Sequence, residues 1–399
     1  MSREKQFRVA VRKFGPFESA IRKQWDAFER VERTDLELDA VAMDLHPLSE
    51  TRSARGDWDV LFLVTDWMAS VHEQRAVVDL SGLIREEPPE DYPDGWSASL
   101  QRQHEIGGEI LGLPYHDGPE CLIYRRDLLE DPAEQAAYLA RHGEPLRVPE
   151  TWEEFRRVAR HFHRPERGLH GTVYAAYPDG HNTVYDFCLQ LWTRGGELTD
   201  GSGRIQLDTP QAAAALEFLR SMINDGAAVH PGCREMDSVK SGLAFAAGEA
   251  ALMVNWFGFA SMAETVADSQ VKGRVGVAEV PHAEGGRGTS LNIYWILSVA
   301  AGSPHQRTAW RFLRHCASPA MDKLLTLEGG IGCRKSTWRD ADVNRVIPFY
   351  RRMENLHANA REMPRMAEWP RVAEAIDDMV LDAINTTDPV EAILQRARL

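Results

Sequence analysis

The sequence predicts an α/β protein organised as two lobes, each able to bury its own core. One observation is length: 399 residues exceed the roughly 250–300 at which a single hydrophobic core stops growing. A second is the alternation of short apolar runs with stretches of helical periodicity along the whole chain, the pattern of α/β architecture. The third is that several apolar runs end in polar and aromatic residues, the position at which open α/β sheets hold ligands.

Taken in order, Phe7–Val11 reads as a first strand and Phe14-Gly15-Pro16-Phe17 as a turn into a helix, with Ile21, Trp25, Phe28 and Val31 assigned to one face. Leu36–Val41 alternates like a half-buried strand. Val60–Val64 is continuously apolar, as suits a strand buried on both faces, and Thr65, Asp66 and Trp67 follow at its mouth. Glu86–Pro93 is a surface loop. In Gly107–Asp127, turn residues bracket a strand from Ile110 to Tyr115, and Leu122–Tyr124 forms a second strand. His116 and Asp117 lie in the polar patch between them.

Thr151 and Glu154 form a capping box ahead of a helix bearing Trp152, Phe155, Ala159 and Phe162. Pro210 opens another helix, with Gly226 as its expected cap. Ser238–Ala247 is a helix ending at Gly248, and Ala251–Trp256 a strand. Val275–Val280 and Leu291–Val299 are further strands. Pro304–Cys316 and Pro319–Leu327 are helices, and Val372, Ile376, Met379 and Ala383 mark an amphipathic helix near the end.

Net charge of −14 disfavours nucleic acid, whose phosphates require basic patches, and an anionic membrane surface. Neutral and cationic ligands stay open. No run approaches the ~18 apolar residues of a spanning helix. Met1–Gln6 leads into Phe7–Val11 without the apolar core of a signal peptide, so the chain as written reads as cytoplasmic unless a leader was removed or not included. Cys121, Cys188, Cys233, Cys316 and Cys333 are widely spaced and read as buried free thiols rather than disulfides or a zinc site. No metal and no cofactor is expected.

Catalytic motifs are lacking: there is no nucleophile elbow, Walker loop or dinucleotide-binding glycine signature. His161 and His163 sit two apart on a helix, on different faces. Asp57 and Asp59 suit solvated or capping roles. His181 and Arg204 would suit an acidic ligand but read as exposed polar residues. What recurs is an aromatic ring beside a polar group at an element end, as at Asp66-Trp67, Tyr115-His116-Asp117, Asn255-Trp256, Asn292 with Tyr294-Trp295, and Glu368-Trp369. Sugar recognition uses this mixture, with C–H faces stacked on rings and hydroxyls held by fixed donors and acceptors.

In order and spacing, several stretches resemble the family 1 extracellular solute-binding proteins of ABC importers, the maltose-type carbohydrate-binding group. They include Asp59-Val60 with Asp66-Trp67, Gly108–Pro114, Leu122–Leu129, Pro149–Phe155, Leu207–Pro210, Phe245–Met253 and Trp369-Pro370. The resemblance implies a two-lobe periplasmic-binding-protein-like fold with a hinge and an interlobe cleft. Residues 1–116 and 298–342 would form one lobe, and 117–297 and 343–399 the other. It implies a monomeric, non-enzymatic protein, periplasmic or extracellular, that delivers a sugar or sugar derivative to a membrane permease.

By the same resemblance Asp66 is the cleft carboxylate with Trp67 its neighbour, and His116 or Asp117 is the polar contact after the hinge. Trp256 is the stacking aromatic. Asn292 and Tyr294 lie where the family has a third site segment, with Asn292-Ile293 in place of its Gly-Gly pair. Trp369 matches a C-terminal aromatic, Phe14 and Phe17 are first-loop candidates, and Tyr185 is counted among the ligand contacts. Alternatives are a glycosidase-like enzyme using Asp66 and Asp117 as its carboxylate pair, and a cytoplasmic sugar sensor of the same fold.

Overall fold

The computed structural model describes residues 5–51 and 57–397. Residues 1–4, on which the leader reading partly rests, lie outside it. In chain order the strands are β1 (Gln6–Arg12), β2 (Glu37–Met43), β3 (Val60–Val64), the short pair β4 (Glu105–Ile106) and β5 (Glu109–Ile110), β6 (Leu113–His116) and β7 (Glu120–Arg125). Then come β8 (His170–Val173), β9 (Ala250–Trp256), β10 (Val275–Ala278), β11 (Ser290–Leu291), β12 (Trp295–Val299) and β13 (Ala360–Arg361). Helices fill the intervals, so the class is α/β as expected.

The chain divides into two compact units. The first comprises Met1–Gly118, Asn292–Ala358 and Arg365–Ala367, and the second Pro119–Leu291, Asn359–Pro364 and Glu368–Leu399. In the first, the sheet order is β2-β1-β3-β12-β6. β1 is parallel to β2 and β3, whereas β12 runs antiparallel to β3 and β6. Every residue of β3 is buried, as its unbroken apolar run requires. The helix Gly15–Glu32 covers one face with Phe17, Ile21, Trp25 and Phe28. Phe7 stacks on Trp25 at 4.7 Å between centroids, and Phe312 closes edge-on at 5.7 Å. Val31 is 73% exposed, contrary to expectation. At about 100° per residue it points roughly 90° from the mean direction of Ile21, Trp25 and Phe28.

The second unit has sheet order β10-β7-β9-β8, antiparallel except for the parallel β8–β9 pair. Helix Trp152–Phe162 carries the expected capping box: Thr151 Oγ1 accepts from Glu154 N at 3.2 Å, and Glu154 Oε2 accepts from Thr151 N at 3.1 Å. Thr151→Ala is expected to cost about 1 kcal/mol, read as a lower urea midpoint at unchanged slope. Gly171 lets β8 pass against that helix, since a Cβ there would lie 1.9 Å from the Ala159 carbonyl oxygen. Helices Asn182–Trp192, Pro210–Ile223 and Trp369–Asn385 pack on one another. Pro210–Ile223 ends at Asn224 rather than being capped by Gly226. All five cysteines are buried and free.

The observed unit boundaries differ from those expected at 116/117, 297/298 and 342/343. Backbone and side-chain bonds from far along the chain tie segments back. Thr65 N donates to Tyr294 O at 3.0 Å, so the first unit recovers the chain at Asn292. Tyr350 Oη accepts from Gly332 N at 2.8 Å, and His357 reaches Ser99 and Asp117. These bonds keep residues 343–358, and Asp117 itself, in the first unit. The expected single strand Leu291–Val299 is accordingly broken into β11 and β12, one in each unit.

Candidate functional site

Each unit gathers aromatic and polar groups at one end of its sheet. In the first unit Trp295 opens β12 and stands opposite both Val64 at the end of β3 and His116 at the end of β6. Past β3 the chain turns helically through Thr65–Trp67. Thr65 pins that turn, donating its hydroxyl to Gln103 Oε1 at 2.9 Å and accepting from Tyr294 N at 3.2 Å. Trp67 meets the Trp295 ring edge-on at 6.2 Å. Phe17 bridges His116 at 4.6 Å and Trp295 at 6.3 Å, and Phe14 packs on Phe17 at 5.1 Å. Phe14, Asp66, Trp67 and His116 therefore share one sheet end. Trp67 and Phe17 are buried there, whereas Phe14, Asp66, His116 and Trp295 are half-buried.

His116 has a defined protonation state. Burial lowers its pKa to about 3, so the ring is neutral, and its Nδ1 accepts from Ile331 N at 2.8 Å. The ring proton therefore resides on Nε2, which makes His116 a neutral donor.

Asp117 turns inward. It is 2% exposed, its N–H donates to Ile331 O at 2.9 Å, and Oδ2 accepts from His357 Nε2. His357 Nδ1 lies 2.9 Å from Ser99 Oγ, and Trp338 stacks on the imidazole at 4.8 Å. With all three polar side chains buried, this array anchors the segment after β6. The glycosidase-like alternative gains no support, because Asp117 is committed to His357.

Tyr294, expected as a contact, is fully buried; its hydroxyl lies 2.9 Å from His104 Nδ1 and donates to Leu100 O. Successive residues of an extended segment face opposite ways, and it is Trp295 that stands at the sheet end. Asn292 is also fully buried, with neither amide atom hydrogen-bonded among the described residues.

In the second unit Trp256 closes β9 directly opposite Glu120 at the start of β7, so the two side chains rise from the same face. Trp256 is half-buried, and Tyr185 of helix Asn182–Trp192 meets its ring edge-on at 5.5 Å. Asp186 follows Tyr185 in that helix. Glu120 is 4% exposed, and its Oε2 has no hydrogen-bond partner among the described residues. Burial raises the Glu120 pKa well above the ordinary carboxyl range, and Asp186 raises it further; burial raises Asp186 likewise. Tyr174, just past β8, has a buried hydroxyl without a hydrogen-bond partner among the described residues, and its pKa is raised by burial and by Asp186. Trp369 is not at this sheet end as an open ring. It is 2% exposed and starts helix Trp369–Asn385 as a core residue.

Trp295, Glu120 and Asp186 were not among the expected contacts. Adjacent aromatics at 294 and 295 give no sign of which faces out until the register with Val64 and His116 is set. Glu120 and Asp186 did leave a trace, Glu120 as a carboxyl immediately ahead of the apolar run Cys121–Tyr124 and Asp186 as the lone carboxyl within Val184–Leu191.

Comparison with known proteins accords with this architecture. A family model for bacterial extracellular solute-binding proteins matches residues 15–323. A probable ABC transporter-binding protein of Deinococcus radiodurans is 24% identical over 336 residues, 82% of this chain and 75% of that protein. Maltose-bound MalE3 of T. maritima superposes with a TM-score of 0.85 at 23% identity, over 98% of this chain and 97% of that one. A solute-binding protein of Agrobacterium radiobacter K84 in complex with ribitol gives 0.86 at 21% identity, over 98% and 96%. With the family model spanning most of the chain and the two α/β units beneath it, the protein belongs to the bacterial extracellular solute-binding protein family.

Proposed function

We propose that the protein captures a sugar or sugar derivative outside the cytoplasm and delivers it to the membrane permease of an ABC importer, acting as a monomer and without chemical turnover. The observation that carries the sugar reading is the second-unit sheet end. There the half-buried Trp256 ring stands opposite Glu120 and against Tyr185, a flat apolar face beside groups able to hold hydroxyls. The Asp66–His116–Trp295 cluster of the first unit offers the same mixture. Relatives of this fold bound to maltose and ribitol support the same class.

The test is a thermal-shift panel of maltose, glucose, ribitol, mannitol and amino sugars, with product analysis after long incubation. Binding to the folded state alone at 100 times Kd adds about 2.7 kcal/mol, so a cognate sugar is expected to raise the melting temperature by several degrees and be recovered intact. No shift with any sugar or polyol, or recovery of a cleaved sugar, would overturn the reading.

A further inference from the structure

We infer that the Glu120–Asp186 carboxyl pair, beside the Trp256 ring, receives a protonated amine, so that the preferred ligand is an amino sugar or a related amino polyol. The inference rests on the sugar reading above and narrows its substrate class.

Three observations within the second unit converge. Register places Glu120 opposite Trp256, and the Tyr185 edge contact brings the next residue, Asp186, to the same end. Neither carboxyl is in an ion pair among the described residues, although Glu120 is buried and Asp186 half-buried. Glu120 Oε2 has no hydrogen-bond partner among the described residues. The third observation comes from outside the pair: the Tyr174 hydroxyl at the end of β8 is buried, unpartnered and within electrostatic reach of Asp186. Unsatisfied buried acceptors are costly, and two carboxyls without a cation are costlier. A primary ammonium offers three donors and a positive charge, and the face of a tryptophan ring attracts such a group.

Cations nearby in the fold are engaged elsewhere. Arg194 donates to Gln190 O at 3.0 Å, Arg156 to Ser221 Oγ at 2.6 Å, and Arg361 to Glu197 Oε1 at 3.0 Å. The other titratable groups within electrostatic reach of the pair are the Cys188 thiol and the Tyr174 phenol, with the Cys121 thiol on the opposite face of β7, all held neutral by burial. Burial pushes the Glu120 pKa upward and that of Asp186 up to about 8, so Asp186 carries a proton near neutrality that an arriving ammonium displaces to solvent.

The test is titration calorimetry of the full chain at pH 7 with matched trios: glucosamine, N-acetylglucosamine and glucose, then the chitosan disaccharide, N,N′-diacetylchitobiose and cellobiose. N-acetylation removes the charge and keeps the ring. The amines are expected to bind at least tenfold tighter than their acetylated and hydroxyl counterparts. Repeating the titration in phosphate and in Tris, whose ionisation enthalpies differ, should show proton release with amines alone. Glu120→Gln and Asp186→Asn are made separately, so that one failing to fold leaves the other; in each, the amines should bind no tighter than their acetylated and hydroxyl counterparts measured on the same variant, and an amine preference retained in both folded variants would overturn the inference. Neutral sugars binding as tightly as amines would overturn the inference and leave the sugar reading intact. Absence of binding by every trio and every polyol of the panel would overturn both.

Discussion

Trp256→Ala is expected to weaken solute binding by roughly 30- to 1,000-fold, about 2–4 kcal/mol, the loss typical of a central aromatic anchor. The ring is half-buried at the end of β9 and rests on Tyr185 at 5.5 Å, so it presents apolar area to a ligand without supporting the core. The strand itself is held by its ladders to β7 and β8, which the substitution leaves intact. Calorimetry gives the affinity, and circular dichroism with thermal unfolding gives the fold. Wild-type affinity in a folded variant would place Trp256 outside the binding surface.

Asp186→Asn is expected to stabilise the ligand-free protein at pH 7–8 by on the order of 2–4 kcal/mol, the relief of a half-buried carboxylate with no ion pair among the described residues. Burial raises the folded-state pKa of this carboxyl. A group shifted upward contributes its full stability below the unfolded-state pKa, about 3.9, and loses it as pH rises through the folded value. The gain from Asn should therefore be largest above neutrality and shrink towards pH 4. Urea unfolding across pH 4–8 measures it, and equal wild-type and variant stabilities at pH 8 would sink the idea.

Much of the scaffold was legible residue by residue. The Thr151–Glu154 capping box, the apolar run Val60–Val64 and the helix Pro319–Leu327 appear in the structure where spacing placed them. So does the aromatic at the end of Ala250–Trp256. These are local features, set by capping geometry, propensity and side-chain period within a few residues. The boundary near Leu291–Val299 was not legible, because an apolar stretch reads as one strand whether or not the chain changes units within it. Tyr294 and Trp369 were assigned to the site as aromatics near element ends, and both are core. Neither residue type nor spacing tells which face of an extended segment, or which side of a first helical turn, meets the interior.

The sequence by itself determined the α/β class, the sites of helix starts and buried strands, and a family resemblance that the comparisons bear out. Tertiary structure decided which aromatic–polar pairs stand together. Long-range register set Trp295 opposite His116 and Glu120 opposite Trp256. A single bond to His357, 240 positions away, drew Asp117 inward and left His116 at the sheet end. Local interactions are written in neighbouring residues. The partners of a buried carboxyl are chosen by the whole fold, since burial makes every unmet hydrogen bond costly and only distant segments supply the donors.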